Sequence, residues 1–161
     1  MRSNIGEPMK LAIFIFLSVI LLIFTVTYKR TLHIFEIIFI GMMVWITTHS
    51  VSSILVENLE LISISQDLEE FWLHVLKRLT AYPLITVLFI DLFNRIKNKL
   101  VRILIFVCNV VTLTLLEFLF IHLGVLIRHQ YSMWMSMVEW TFTMTITYLT
   151  WYWYRKKYLM R

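Results

Sequence analysis

The sequence predicts an all-α polytopic membrane protein: a bundle of five transmembrane helices with one interfacial amphipathic helix before the third. Three observations carry this. Of 161 residues, 60% are A, V, I, L, M, F, W, Y or C and only 16% are charged, against about 45–50% apolar and about 25% charged in an ordinary soluble domain. Mean hydropathy is +0.78. Five apolar runs also approach the ~20 residues that a helix needs to cross a bilayer, and together they occupy residues 1–161 as a single integral membrane domain.

The first span covers Leu11 to Tyr28 and stops at Lys29-Arg30. Its apolar core exceeds the 7–15 residues usual in a signal peptide, and no small-x-small cleavage site follows, so an uncleaved helix is expected. The alternative is a four-span protein whose first segment is removed. The second span covers Leu32 to Val56. So short a connection to the first forces an antiparallel hairpin. Residues Glu57 to Glu70 then form the one real loop, with five acids and no base.

Within and after this loop, Leu68, Phe71, Trp72, Val75, Leu76 and Leu79 recur at helical spacing. Asp67, Glu70, His74, Lys77 and Arg78 hold the opposite face. This predicts an amphipathic helix over residues 66–78 lying at the membrane interface, opened by a Ser63–Gln66 capping box. It runs into a third span, 79–93, which Pro83 should kink by removing a backbone donor and crowding the Leu79 carbonyl. A basic turn with Arg95, Lys97, Lys99 and Arg102 leads to the fourth span, 100–122, and the fifth covers 133–154 before Arg155-Lys156-Lys157. Tyr28 and Trp151 to Tyr154 sit just inside these basic flanks, as an interfacial aromatic belt does.

Composition sets further bounds. A single cysteine, Cys108, excludes an intramolecular disulfide and a Cys-based zinc cluster. The net charge of +5 resides in short clusters beside apolar spans, which fits contact with anionic lipids at cytoplasmic loops and not nucleic acid. Three Gly and two Pro leave no material for a phosphate-cradling loop or a Pro-rich linker.

Five spans place the termini on opposite sides. With the N-terminus outside, the cytoplasmic segments hold Lys29, Arg30, Arg95, Lys97, Lys99, Arg102, Arg155, Lys156, Lys157 and Arg161. The outside holds only Arg2, Lys10, Lys77, Arg78 and Arg128, with the acidic loop. Ten against five obeys the positive-inside rule and predicts an N-out, C-in topology.

Ionisable residues inside spans are costly and mark functional candidates. Asp91, four residues before Arg95, reads as an i,i+4 ion pair. Glu36 and His33 form a secondary pair on the cytoplasmic side; a local hydrogen-bonded pair is the plainer reading, and a proton site or a metal pair the sharper ones. Glu117 lies 15 positions beyond Arg102, about 22 Å up the fourth helix. Glu139 heads a stripe with Ser132, Ser136, Thr143 and Thr150 on the fifth. His49, His122, Lys77 and Arg78 fall at similar depth, so Glu117, Glu139, His49, His122 and Thr143 are the candidate ligand- or proton-binding set of one outward polar pocket. Packing by interhelical hydrogen bonds competes with that reading.

Tyr82-Pro83 opening the third span, Glu117 late in the fourth, Trp134, Trp140, Trp151 and Trp153 in the fifth, and the ending Arg155-Lys156-Lys157-Tyr158 together resemble a family of small multi-pass membrane proteins of spore-forming Firmicutes, mostly conserved hypothetical proteins. The similarity covers residues 30–160. It implies a bacterial cytoplasmic or spore membrane and a role near sporulation or germination. It brings no catalytic residues.

The expected function is non-enzymatic: an accessory or assembly component that associates with itself or another membrane protein and presents an outward polar site, with no cofactor and no metal. The alternative is a small ion or solute channel or transporter subunit using the intramembrane carboxylates. An intramembrane enzyme comes third, since neither G-x-S-x-G nor H-E-x-x-H is present.

Overall fold

The computed structural model describes residues 7–65 and 67–159. Helix α1 spans Glu7–Thr27 and α2 Ile34–Ser53. The turn between them is pinned to a distant element: the backbone N–H and the hydroxyl of Thr31 both donate to Asp91 Oδ1 at 2.7 Å. Helix α2 opens with a capping box, His33 N–H donating to Glu36 Oε2 at 2.7 Å and His33 Nδ1 accepting from Phe35 N–H. Its buried face repeats every three to four residues through Glu36, Ile40, Val44, Thr47 and Thr48. A wide turn, Ile54–Asn58, ends it.

Strand β1, Ile62–Ile64, pairs antiparallel with β2, Leu126–Arg128, with Ser63 opposite Ile127. This two-stranded ribbon departs from the purely helical expectation and replaces part of the expected loop. The ribbon forms because α5, Lys99–His122, stops in a Schellman motif. Gly124 takes φ +84°, its N–H bonds Ile121 O, and Val125 N–H bonds Phe120 O. The chain is thereby turned back alongside residues 62–64. Ser63 lies in β1 and caps no helix; its expected partner Gln66 lies outside the described residues.

Helix α3, Leu68–Leu76, passes through a widened turn, Lys77–Ala81, into α4, Tyr82–Arg95. Residues Leu68–Arg95 thus form one continuous helix, the amphipathic segment running directly into the expected third span. Pro83 explains the widened turn. A regular turn drives its ring into the Leu79 carbonyl, and an i→i+5 bond from Tyr82 N–H to Lys77 O opens the space instead. Part of the polar face of this helix is turned into the bundle. His74 and Lys77 are 4% and 1% exposed, while Leu68 is 72% exposed.

Helix α6, Met133–Tyr154, begins at Ser132, whose side chain accepts from Met135 N–H. Helices α2, α4, α5 and α6 enclose the main core around Ile40, Val44, Val87, Leu113, Trp140 and Met144. Helix α1 lies at the periphery, with Phe16, Leu17, Ile23 and Phe24 exposed. Lys10–Thr27, Ile34–Asn58, Leu68–Arg95 and Lys99–His122 are each long and apolar enough to cross a membrane. Helix α6 has the length, 22 residues, but Glu139 and its interspersed Thr, Trp and Tyr residues lower its hydropathy. An extensive apolar exterior, with polar side chains such as Glu36, Asn109, Thr114 and Thr143 buried in the interior, departs from the pattern of a water-soluble protein.

Candidate functional site

At the ribbon end of the bundle, α5 and α6 bring two carboxylates to one point. Glu117, 6% exposed, accepts at Oε2 from Trp140 Nε1 at 3.0 Å and from Ser136 Oγ. Ser136 and Trp140 stand one turn apart on α6, so a single face of that helix supplies both donors. Tyr131, in the link before α6, donates to Glu139 Oε2 at 2.7 Å, and its oxygen lies 3.4 Å from Glu117 Oε2. A phenol has one hydrogen, and the shorter contact assigns it to Glu139. Burial, reinforced by the two carboxylates, pushes the Tyr131 phenol well above its ordinary range. It therefore remains a donor at any physiological pH.

The facing wall comes from the continuous helix Leu68–Arg95. His74, Lys77, Arg78 and Tyr82 face the same cavity as Glu117, Glu139 and Trp140, and Ile62 and Leu126 of the ribbon close it. The cavity holds about 20 Å³, enough for roughly one water-sized occupant. Two acids face two bases, yet among the described residues neither Lys77 nor Arg78 makes an ion pair within 4.0 Å. The Lys77 ammonium instead lies over the Phe120 ring, 4.7 Å from its centroid. Both His74 nitrogens and the Tyr82 hydroxyl are buried without a partner. The cavity thus gathers unused donors on one wall and carboxylates on the other.

Of the residues singled out from the sequence, Glu117 and Glu139 meet through Tyr131. Thr143, one turn further along α6, is fully buried with an unpartnered hydroxyl, beside the cavity but not on its wall. His49 is exposed and stacked on Trp45, and His122 is exposed at the end of α5. Neither reaches the cavity, because each lies on the outer face of its helix. At the opposite end, Glu36 is 2% exposed and fully engaged. It caps the His33 backbone, accepts from Trp151 Nε1 at 3.0 Å and pairs with Arg155 Nε at 3.6 Å. The His33 ring does not touch that carboxylate; it stacks on Phe35. Among the described residues no group of three or more His, Cys, Asp or Glu side chains is arranged to hold a metal.

The sequence reading missed Tyr131, Tyr82, Trp140 and His74 as site residues. His74, Lys77, Arg78 and Tyr82 carried a signal, a polar stripe on an otherwise apolar helix, but it reads as a solvated face unless both sides of the helix are in lipid or protein. Tyr131 sits in an aperiodic link and carried none.

No family model matches the chain, and no curated protein or solved structure is significantly similar to it.

Proposed function

We propose that this chain is a non-enzymatic, multi-pass membrane protein, an accessory component of a membrane assembly, whose outward end presents a buried polar site for a small polar ligand or ion. The ribbon end is outward and the basic end, with Arg95, Arg102 and Arg155, is cytoplasmic, following the positive-inside rule. Helix α6 is the fifth crossing, and it turns Ser136, Glu139, Thr143 and Thr147 toward the bundle, as an intramembrane polar stripe must. A bacterial cytoplasmic or spore membrane, and a link to sporulation or germination, follow from the family resemblance alone.

One observation carries the binding role. Tyr131 holds Glu117 and Glu139 together, while Lys77, Arg78, His74 and Tyr82 converge on the same cavity and bond to neither acid. A site serving packing alone pairs such groups directly, since buried unpaired charge is costly.

Native mass spectrometry of the protein purified in mild detergent tests this. The expected result is a reproducible small adduct that is lost in Glu139→Gln and in Lys77→Met while the protein still inserts and runs as one species. A bare chain, or variants that lose assembly and carry the same adducts, would reduce the cluster to helix-packing groups.

A second reading, an ion-transporting subunit, is favoured by the floor of the bundle. Glu139, Thr143, Thr147, Trp151 and Arg155 follow one another at i,i+4 down α6, covering about 24 Å at 1.5 Å per residue. Thr112, Thr141, Thr145 and Thr150 bond their own i−4 carbonyls. Thr114, Thr143 and Thr147 are fully buried and make no bond. Their free hydroxyls lie between the Glu117–Glu139 cluster and Glu36. Flux through proteoliposomes that falls in Thr147→Val as well as Glu139→Gln would select transport over binding.

A further inference from the structure

A second feature lies on the lipid-facing surface, away from the carboxylate cavity. Helices α1 and α5, with Ala81 and Ile85 of the continuous helix behind them, enclose an apolar groove of about 340 Å³. Its α1 wall runs from Lys10 through Phe14 and Leu17 to Leu21. That is 12 residues, or about 16 Å of helix, close to half of a ~30 Å hydrocarbon core. The groove is therefore one leaflet deep. Only one of its ends is polar. There it shares Lys10 and Leu73 with a separate pocket of about 240 Å³, whose other walls are Asp67, Leu68, Glu69 and Glu70.

The charges of this pocket are specific. Lys10 Nζ lies 3.9 Å from Glu70 Oε1 and donates to the Leu123 carbonyl at 3.3 Å. Lys10 is thus the one cation lining a pocket that also carries Asp67, Glu69 and Glu70, and the Leu123 carbonyl adds the negative end of α5. A headgroup with a phosphate alone meets one cation against three anions. A headgroup that carries both a phosphate and an ammonium matches: the phosphate sits on Lys10 and the ammonium among Asp67, Glu69 and Glu70. The groove also needs an occupant. Helix α1 meets the rest of the bundle near its start, through Lys10 and the packing of Leu11 and Phe14 against the Leu73–Phe120 cluster, and further along through the Thr80–Ser18 hydrogen bond at 3.3 Å, and the groove between Leu17–Leu21 and Leu116–Leu119 is left open.

We propose that the α1–α5 groove binds one phospholipid of the outer leaflet with an ethanolamine headgroup, its acyl chain along Phe14, Leu17 and Leu119 and its head in the Lys10 pocket. This rests on the membrane-spanning part of the reading above and not on the carboxylate cavity.

The test is native mass spectrometry of the purified chain titrated with dioleoyl phosphatidylethanolamine or dioleoyl phosphatidylglycerol. One ethanolamine lipid per chain should be retained with at least tenfold preference over the glycerol lipid. The triple substitution Asp67→Asn, Glu69→Gln, Glu70→Gln, confined to the periphery, should reduce that preference below twofold. Leu17→Trp should fill the groove and weaken both lipids. Glu117→Gln, in the separate cavity, should leave the preference unchanged, so loss of one site does not mimic loss of the other. Equal retention of the two lipids, a preference that survives the triple substitution, or a second copy of the chain in place of lipid overturns the proposal. If Leu17→Trp does not fold, the triple substitution decides alone.

Discussion

Tyr82 donates its backbone N–H to the carbonyl of Lys77, five residues back, and the two side chains meet at one cavity with the Lys77 ammonium 5.7 Å from the Tyr82 ring centroid. In a regular α-helix, residues five apart point about 140° away from each other. The widened turn takes one extra residue and brings them to the same side. Pro83, immediately after, is the cause, because it forbids the regular turn. Local backbone chemistry therefore builds one wall of the site.

Replacing that proline separates stability from site geometry. Pro83→Ala permits a regular turn, and the helix should gain stability, up to the ~3 kcal/mol that an interior proline costs. Lys77 and Tyr82 should rotate apart. Thermal unfolding in detergent should show a raised Tm, and native mass spectrometry a weakened adduct at the carboxylate cavity. A raised Tm with an unchanged adduct would detach the widened turn from the site.

Tyr131→Phe removes the one donor to Glu139 and the bridge to Glu117. A buried acceptor left without its donor costs about 1–3 kcal/mol. Glu139→Gln alone should cost less, and combining it with Tyr131→Phe should be less than additive, since the two groups are one interaction. A double-mutant cycle on unfolding free energy measures this directly. Full additivity would mean that the 2.7 Å contact contributes nothing to the fold.

Glu36 should behave as a structural acid. Its replacement by Ala strips the N-cap of α2 and leaves Trp151 Nε1 and Arg155 without their acceptor. Breaking a fully buried pair costs about 3–5 kcal/mol; Arg155 keeps 22% exposure, so about 2–3 kcal/mol is expected after discounting for solvent. The adduct at the carboxylate cavity should persist, which unfolding curves and mass spectra of Glu36→Ala read together. Loss of the adduct in a still-folded Glu36→Ala protein would instead couple the two ends of the bundle.

Much of this architecture was legible in the sequence, and what was not has a common physical cause. Apolar run length alone located α1, α2, α5 and α6, because crossing length is a one-dimensional property. The Asp91–Arg95 pair was readable from i,i+4 spacing and is present at 2.6 Å. The spacing of His33 and Glu36 pointed to a local hydrogen-bonded pair; the bond is present, but it runs from the His33 backbone N–H and not from its ring. Depth brought Glu117 and Glu139 to the same level, but their meeting depends on helix rotation and on Tyr131, a residue in a link. The polar stripe of residues 67–78 fixed which side chains share a face but not which way that face turns: His74 and Lys77 are buried, and Leu68 and Leu79 are exposed. His49 and His122 failed for the same reason: depth placed them correctly, rotation did not. The ribbon needs partners more than 60 residues apart, Ser63 and Ile127, and no local pattern reports such a pairing.

The lone cysteine makes the membrane reading itself testable. Cys108 is exposed on α5 and free. An exposed thiol in water reacts readily with maleimides, whereas one facing acyl chains is out of reach of a reagent confined to water. In intact membrane vesicles Cys108 should resist a membrane-impermeant maleimide and become reactive once the protein is denatured in detergent. Orientation follows in a Cys108→Ser background. With intact cells, Arg128→Cys at the ribbon end should label from outside, and Lys97→Cys in the basic turn should label only after lysis. Rapid labelling of native Cys108 would remove the bilayer from around α5. Labelling of Lys97→Cys but not Arg128→Cys would invert the topology and place the carboxylate cavity, with its Tyr131 bridge, on the cytoplasmic side.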